Sequence, residues 1–549
     1  MNDQGIIRRS SSRAVILATA AIGFTGCDQG GFFCGGGDGM CGWTSEDIAR
    51  VEALSGMSAP PSDTSNMYAS VPAAADLGKQ FYYDTRFSGP SNWQDGLGRV
   101  MPFGRTALGT SAGVGCITCH DPGHGGADPS SSPGDVSVGA GWTYANGLTT
   151  YNAQYYNIHL WNGRIDSLWA QAVADNENAL TTNGNRLRTA WLLNDLYAVP
   201  YQAVFSATLP MSATSATTSA SVQAAVDGTG QCALVGGACP SGCRSVTSTT
   251  GATGCWPRFP LQGKPGKKAG CQSGDSTEPF GDAWDCMDPA DQAAITGVLV
   301  NFGKAIAAYE ETLVLPAAPF DGWVADLMAG RGSSSTAISG DAKAGALLFV
   351  GKAGCSDCHN TPLLSDNRFH NVGVGQMGMG VPTVADCPEG GVCDCAPVTT
   401  DHPSGPKNCL PFGAPDGLQK LTANGFRRDS SWSDDPTNPA WADELNTDPT
   451  VRPVGAYRTP SLRNCTLTPP YMHDGSLATL GDVVWHYSQG IVDQSTPSAD
   501  PSMPPAAAAS FKPLYLSTDE QAQLVAFLES LESGPPPGTS SPPTLPQPQ

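Results

Sequence analysis

Two pentapeptides of one form, Cys116-Ile117-Thr118-Cys119-His120 and Cys355-Ser356-Asp357-Cys358-His359, are the residues of this chain best suited to chemistry. In each, two thiols can add across the two vinyl groups of one haem, and the histidine that follows then lies under the iron as proximal ligand. The spacing is a steric demand of the macrocycle, and its repetition separates it from a zinc site or a disulfide beside an idle histidine. The sequence therefore predicts two covalently bound haem c groups, with iron on His120 and His359, and a redox function.

Such haems must be enclosed by protein. The chain has 549 residues with 65 Gly and 45 Pro but only 14% charged residues, which describes a loop-rich globular protein rather than a disordered one. Helical periodicity appears at Ser45 to Leu54, Ser167 to Asp175, Asn185 to Tyr197, Pro289 to Leu313, Asp341 to Val350, Gly481 to Gln489 and Ser517 to Leu531. Asp288-Pro289 opens the longest of these, which is expected to bridge two haem domains, and Ser517 with Glu520 fits a capping box. The expected fold is mainly α, with two cytochrome c-like haem domains, long loops and disulfide-rich insertions. The expected division is a signal over 1–27, a tether over 28–75 and an N-terminal haem domain over 76–340 with a Cys-rich insertion near 211–285. A C-terminal haem domain over 341–533 follows, with an insertion near 376–455, and then a Pro-rich disordered tail over 534–549.

The N-terminus has Arg8, Arg9 and Arg13, an apolar stretch from Ala14 to Phe24, and then Phe24-Thr25-Gly26-Cys27, the pattern of an export signal ending in a lipobox. This predicts an exported, periplasm-facing protein anchored by a lipid on Cys27. Eighteen cysteines suit that compartment. Setting aside Cys27 and the four of the pentapeptides, they fall into even local groups: Cys34 with Cys41, six from Cys232 to Cys286, and four from Cys387 to Cys409. These predict local disulfides, and the remaining Cys465 is expected to be a buried small hydrophobe. A formal charge of −21 argues against a nucleic-acid partner and suits a basic soluble electron donor.

The segments around the two pentapeptides resemble the bacterial dihaem cytochrome c peroxidase and MauG family. The likeness is carried by Phe81-Tyr82-Tyr83-Asp84-Thr85-Arg86-Phe87-Ser88-Gly89, Leu160-Trp161-Asn162-Gly163-Arg164, Phe320-Asp321-Gly322-Trp323 and Phe369-His370-Asn371-Val372-Gly373-Val374. It continues in Tyr457-Arg458-Thr459-Pro460-Ser461-Leu462-Arg463-Asn464 and Pro470-Tyr471-Met472-His473-Asp474-Gly475, and covers most of residues 73–532. The resemblance implies hydrogen peroxide as substrate and a small cytochrome, a cupredoxin or another oxidisable substrate as donor. It places Trp161 between the haems as electron relay. It implies a calcium ion held by Asn146, Thr468 and the Pro470 carbonyl, a set of oxygen ligands that suits calcium.

Several positions depart from the peroxidase pattern. The second haem's sixth ligand would be Tyr487, where peroxidases carry methionine and MauG-like proteins tyrosine; His486 and Met472 are its rivals. An anionic oxygen ligand favours ferric and higher-valent iron over a thioether. Val138 stands where peroxidases keep a distal histidine, which predicts a five-coordinate first haem, and His124 is the candidate for a displaceable ligand. Gln171 matches the family's distal glutamine. The expected catalytic glutamate is replaced by Thr181, leaving Glu177 or Asp175 to take its part. Two rival functions share the scaffold: a dihaem oxygenase that activates dioxygen, as in rubber-cleaving enzymes, and a plain dihaem electron carrier.

Overall fold

The computed structural model describes residues 42–95, 100–102, 104–132, 136–213, 218–226, 231–247, 253–265, 283–374, 413–441, 455–489, 512–539 and 541–547. The first helices are α1 (Ser45–Glu52), α2 (Pro72–Tyr83), α3 (Cys116–Cys119), α4 (Leu168–Glu177), α5 (Arg186–Leu196), α6 (Ala198–Phe205) and α7 (Ser219–Ala225). They are followed by α8 (Pro289–Glu310), α9 (Pro319–Met328), α10 (Gly340–Val350), α11 (Ala414–Ala423), α12 (Leu480–Gln489) and α13 (Thr518–Glu529). Helix starts lie where short polar side chains can satisfy the unpaired N–H groups of a first turn. Ser167, Asn185, Asp288 and Ser339 accept such bonds at α4, α5, α8 and α10, and Ser517 with Glu520 forms the capping box of α13.

Two large apolar clusters result. In the first, α8 is central: Leu299, Phe302 and Ile306 pack with Leu77 and Phe81 of α2 and with Leu187 and Trp191 of α5. Phe81 stacks on Phe302 with ring centroids 5.1 Å apart. The second joins Val51 of α1, Phe320 and Trp323 of α9, Phe349 of α10, and Leu524 and Phe527 of α13. Each cluster brings the helix that precedes a haem pentapeptide close against another helix at a glycine. A Cβ on Gly78 of α2 would lie 1.8 Å from the Ala305 carbonyl oxygen, and one on Gly345 of α10 would lie 1.9 Å from that of Gln523. Strand structure is slight. The antiparallel pair β1 (Cys243–Thr247) and β2 (Thr253–Pro257) is stapled by disulfides Cys232–Cys243 and Cys239–Cys255, and β3 (Phe369–His370) pairs with β4 (Tyr457–Arg458).

The mainly helical expectation and the local disulfides of the 232–286 group hold, and Cys465 is buried and unpaired in the second cluster. Other expectations need correction. The long helix α8 does not bridge domains; it is the centre of the first core because it is apolar almost all round. Helix α9, assigned by sequence to the first domain, buries Phe320, Trp323 and Val324 in the second core. The 28–75 tether carries Trp43, Val51 and Leu54 into that same core, while Ser65 and Asn66 bond to Trp169 and to the Lys304 carbonyl of the first unit. Nor is the 211–285 insertion held by disulfides alone, since Met211, Val222, Phe259 and Trp284 join the first core.

The tail expected to be disordered instead lies along α2. Lys79 Nζ donates to the Gly538 carbonyl at 2.8 Å, Tyr83 to that of Thr539 at 3.4 Å and Arg86 to that of Pro546 at 2.9 Å. A Pro-rich segment lacks many N–H donors but keeps its carbonyls, and three side-chain donors along the α2 end supply what those carbonyls need. The signal and lipobox, Cys34 and Cys41, and the cysteines from Cys387 to Cys409 lie outside the described residues.

Candidate haem sites and the gap between them

The first pentapeptide makes a single helical turn, α3. The Gly115 N–H donates to Thr118 Oγ1 at 3.0 Å, and the His120 N–H closes the turn on the Cys116 carbonyl at 3.0 Å. Tyr82 of α2 reaches over to donate to the His120 carbonyl at 3.0 Å, so the helix of the first core sets the height of the motif. Cys116 and Cys119 are both unpaired thiols, pushed up by burial. Burial lowers the His120 imidazole against the opposing pull of Asp175 and Asp128, and its Nδ1 is buried without a hydrogen-bond partner. All three residues are partly accessible.

The second pentapeptide repeats this on a 3-10 turn, Cys355–Asp357, that follows α10. Here the ring is oriented as an iron ligand would need: His359 Nδ1 lies 2.6 Å from the Leu364 carbonyl, which leaves Nε2 as the nitrogen that could coordinate an iron. Phe349 packs 6.3 Å from the imidazole. Tyr487, on α12, lies within electrostatic reach of Cys355 and Cys358, and burial pushes its phenol up. Its rival His486 has Nε2 bonded to the Val372 carbonyl at 2.8 Å. Close by, His370 Nε2 pairs with Asp366 at 2.7 Å; that bond first, and Cys358 second, push the imidazole up to about 10.

Trp161 Nε1 donates to the Asn146 carbonyl at 2.9 Å and the Trp161 carbonyl accepts from Arg458 N at 2.8 Å. Its ring meets His473 edge-on at 6.3 Å, and His473 stacks on Tyr457 at 3.6 Å with planes 14° apart. Tyr457 pairs across the small sheet with His370, beside the second motif. Three rings thus run from the Trp161 segment toward the second pentapeptide. Burial lowers His473 to about 3, so its ring in this stack is neutral. Sequence reasoning singled out Trp161 alone; the signal for the other two was their place in the motifs flanking residues 457–475. Asn146 and Pro470 are also brought together, with Nδ2 2.5 Å from the carbonyl oxygen, while the Asn146 N–H donates to His473 O at 2.8 Å. The Thr468 hydroxyl turns to the Cys465 carbonyl at 3.2 Å.

The family model described as di-haem cytochrome c peroxidase matches residues 72–227. Cytochrome-c peroxidase IdrP1 of Denitromonas iodatirespirans is 27% identical over 474 residues, 84% of this chain and 82% of that protein. Methylamine utilization protein MauG of Methylorubrum extorquens is 30% identical over 234 residues, 42% of this chain and 44% of that one. The family-model match and these relatives support a member of the dihaem cytochrome c peroxidase and MauG family. It is therefore a haem peroxidase-type enzyme, and membership implies two haem c groups, which the two unpaired thiol pairs and their following imidazoles fit. A solved structure titled as a MauG-like protein associated with microbial copper homeostasis covers 87% of this chain and 93% of its own, with a TM-score of 0.46 and 17% identity.

Gln171 and Asp175 lie one turn apart on α4 and are hydrogen-bonded to each other. Glu177, one of the two carboxylates expected from sequence, is engaged elsewhere: it pairs with Arg186 through both oxygens, at 2.9 and 2.6 Å, and accepts the Arg186 N–H. The physical reason is helix phase, since two residues beyond Asp175 a side chain leaves the same face. Thr181, in the place of the expected glutamate, donates at 2.6 Å to the Asp175 carbonyl. His124 is exposed beside Asp121 at 3.3 Å, on the loop that carries His120, so it is no candidate for a ligand from the opposite side.

Proposed function

We propose that this enzyme reduces hydrogen peroxide at the haem held by Cys116, Cys119 and His120. Electrons come by way of Trp161 from the haem held by Cys355, Cys358 and His359, with Tyr487 as its second axial ligand. When bound, the haems supply iron that binds peroxide and passes single electrons. The observation that supports the reading is the pair of ring contacts that His473 makes, edge-on with Trp161 and stacked with Tyr457. The protein groups support it: His359 is held by Leu364, Tyr487 lies within electrostatic reach of the second thiol pair, and Val138 stands where peroxidases keep a distal histidine.

A calcium ion between the haems belongs to the same proposal. With the Asn146 amide turned over, its oxygen and the Pro470 carbonyl would face each other and need a cation, and Thr468 would add a third oxygen. Electrons would come from a small cytochrome or cupredoxin, or from an organic or protein substrate; the charge of −21 favours a basic donor. Export and a lipid on Cys27 complete the reading.

Stopped-flow mixing of ferric dihaem protein with peroxide tests it. We expect a Soret change without prior reduction, a high-spin ferric signal beforehand, a shorter-lived response in Tyr487→Phe, and slower inter-haem transfer in Trp161→Phe. A loaded ferric protein whose spectrum ignores peroxide would refute the reading.

A further inference from the structure

We infer that Asp175 is the acid–base residue of the first haem pocket, positioned by Gln171 and by the hydroxyls of Thr181 and Thr182. The inference rests on the peroxidase reading above and names the group that moves its proton. Cleaving peroxide needs a base that takes a proton from one oxygen and returns it to the other. That base must open to the cleft beside the iron and must not be spent on another partner.

Helix α4 separates its faces by period. Trp169, Ala172, Val173 and Asn176 are buried, and Gly303 of α8 lies so close that a Cβ there would stand 2.6 Å from the Trp169 carbonyl oxygen. Gln171 and Asp175, at the i and i+4 positions of another face, are partly accessible. Asp175 interacts electrostatically with Cys116, Cys119 and His120 alike, while its carboxylate bonds to Gln171.

Each rival carboxylate nearby is occupied or sealed. Glu177 is locked to Arg186. Asp128 lies on the His120 loop, only 3% exposed, with one oxygen taken by Ser130. Glu310 is likewise only 3% exposed, within the packed α8.

The loop after α4 is built to hold Asp175 rather than to replace it. Thr181 Oγ1 and Thr182 Oγ1 donate to the Asp175 carbonyl at 2.6 and 3.0 Å. The same loop is pinned from outside, with Ala140 N on the Thr181 carbonyl at 2.7 Å and Gly89 N on that of Thr182 at 2.8 Å. Gly139 has no room for a Cβ, which would stand 2.4 Å from the Thr181 carbonyl oxygen. A clamped loop cannot slide to bring Glu177 forward. In the step itself, Asp175 takes the proton of the inner peroxide oxygen and gives it to the outer one. The O–O bond breaks and the outer oxygen leaves as water. The second water takes the two electrons of the peroxidase's reduced donor and two protons from solvent.

The test uses the loaded dihaem protein. Hydrogen cyanide must also lose its proton to bind ferric iron, so its association rate reads the base without turnover. Asp175→Asn should slow cyanide association and the peroxide-induced Soret change by about a hundredfold or more, with haem content and ferric spectrum unchanged. Asp175→Glu should restore most of both rates. Wild-type cyanide and peroxide rates in Asp175→Asn would overturn the inference and leave the peroxidase reading standing. A wild-type protein unresponsive to peroxide would instead sink that reading, with the cyanide comparison still deciding the role of Asp175. If Asp175→Asn does not load haem, Gln171→Leu, which removes the carboxylate's partner, should slow cyanide association about tenfold, and an unchanged rate there overturns the inference.

Discussion

At the scale of single residues, the buried carboxylates around the first motif divide by what they touch. Glu177 and Arg186 form a bidentate pair sheltered at the junction of α4 and α5, and the Arg186 guanidinium also lies 5.0 Å from the Trp284 ring centroid. Removing one member leaves a charge without its partner, so Glu177→Gln should cost about 3 kcal/mol, read as a lowered midpoint in chemical denaturation. Glu310 shows the opposite case. Burial first, then the nearby Asp175, push its carboxyl up to about 8 from 4.5. The folded protein keeps this proton where the unfolded chain loses it. Its contribution is therefore full below about pH 4.5 and is lost as pH rises toward 8, each tenfold difference in proton affinity being worth about 1.4 kcal/mol. Glu310→Gln should flatten the fall in melting temperature between pH 5 and 8; an unchanged slope would show that the carboxyl titrates as an exposed one does.

At the scale of elements, the glycine crossings determine how near each haem-bearing segment can sit to its core. Gly78→Ala would drive a methyl into the Ala305 carbonyl, and α2 would have to move away from α8. We expect a loss of at least about 2 kcal/mol and reduced haem attachment at Cys116 and Cys119, with the second motif loaded normally, as haem-peptide mass spectrometry would show. Elements were the most legible level in the sequence, because capping residues and periodicity act locally: Ser167, Asn185, Asp288 and Ser517 sit at the helix starts that their side chains predict. The pentapeptides were legible for the same reason, since a macrocycle fixes their spacing. Asp175 was harder to single out. Its i+4 relation to Gln171 was visible, but the Thr181 and Thr182 clamp and the Glu177–Arg186 pair exist only once the loop has folded back. Likewise, Pro and Gly in the tail resemble a linker, and composition carries no sign that Lys79, Tyr83 and Arg86 will meet its carbonyls.

At the scale of the molecule, both outer parts of the chain cross between the cores. The segment after α1 leaves the second core and reaches Trp169 and Lys304 of the first, and the segment after α13 does the same toward α2. These crossings tie the two units together at separate points. Deleting residues 534–549 should remove the three bonds from Lys79, Tyr83 and Arg86 and cost about 1–3 kcal/mol, seen as earlier unfolding of the first unit in hydrogen exchange while α10 and α13 keep their protection.

The tail also bears on the order of assembly. Arg86 and the Pro546 carbonyl it meets are 460 residues apart in sequence. A contact of that span cannot close until the ribosome has made everything between, so the final clasp over α2 forms late.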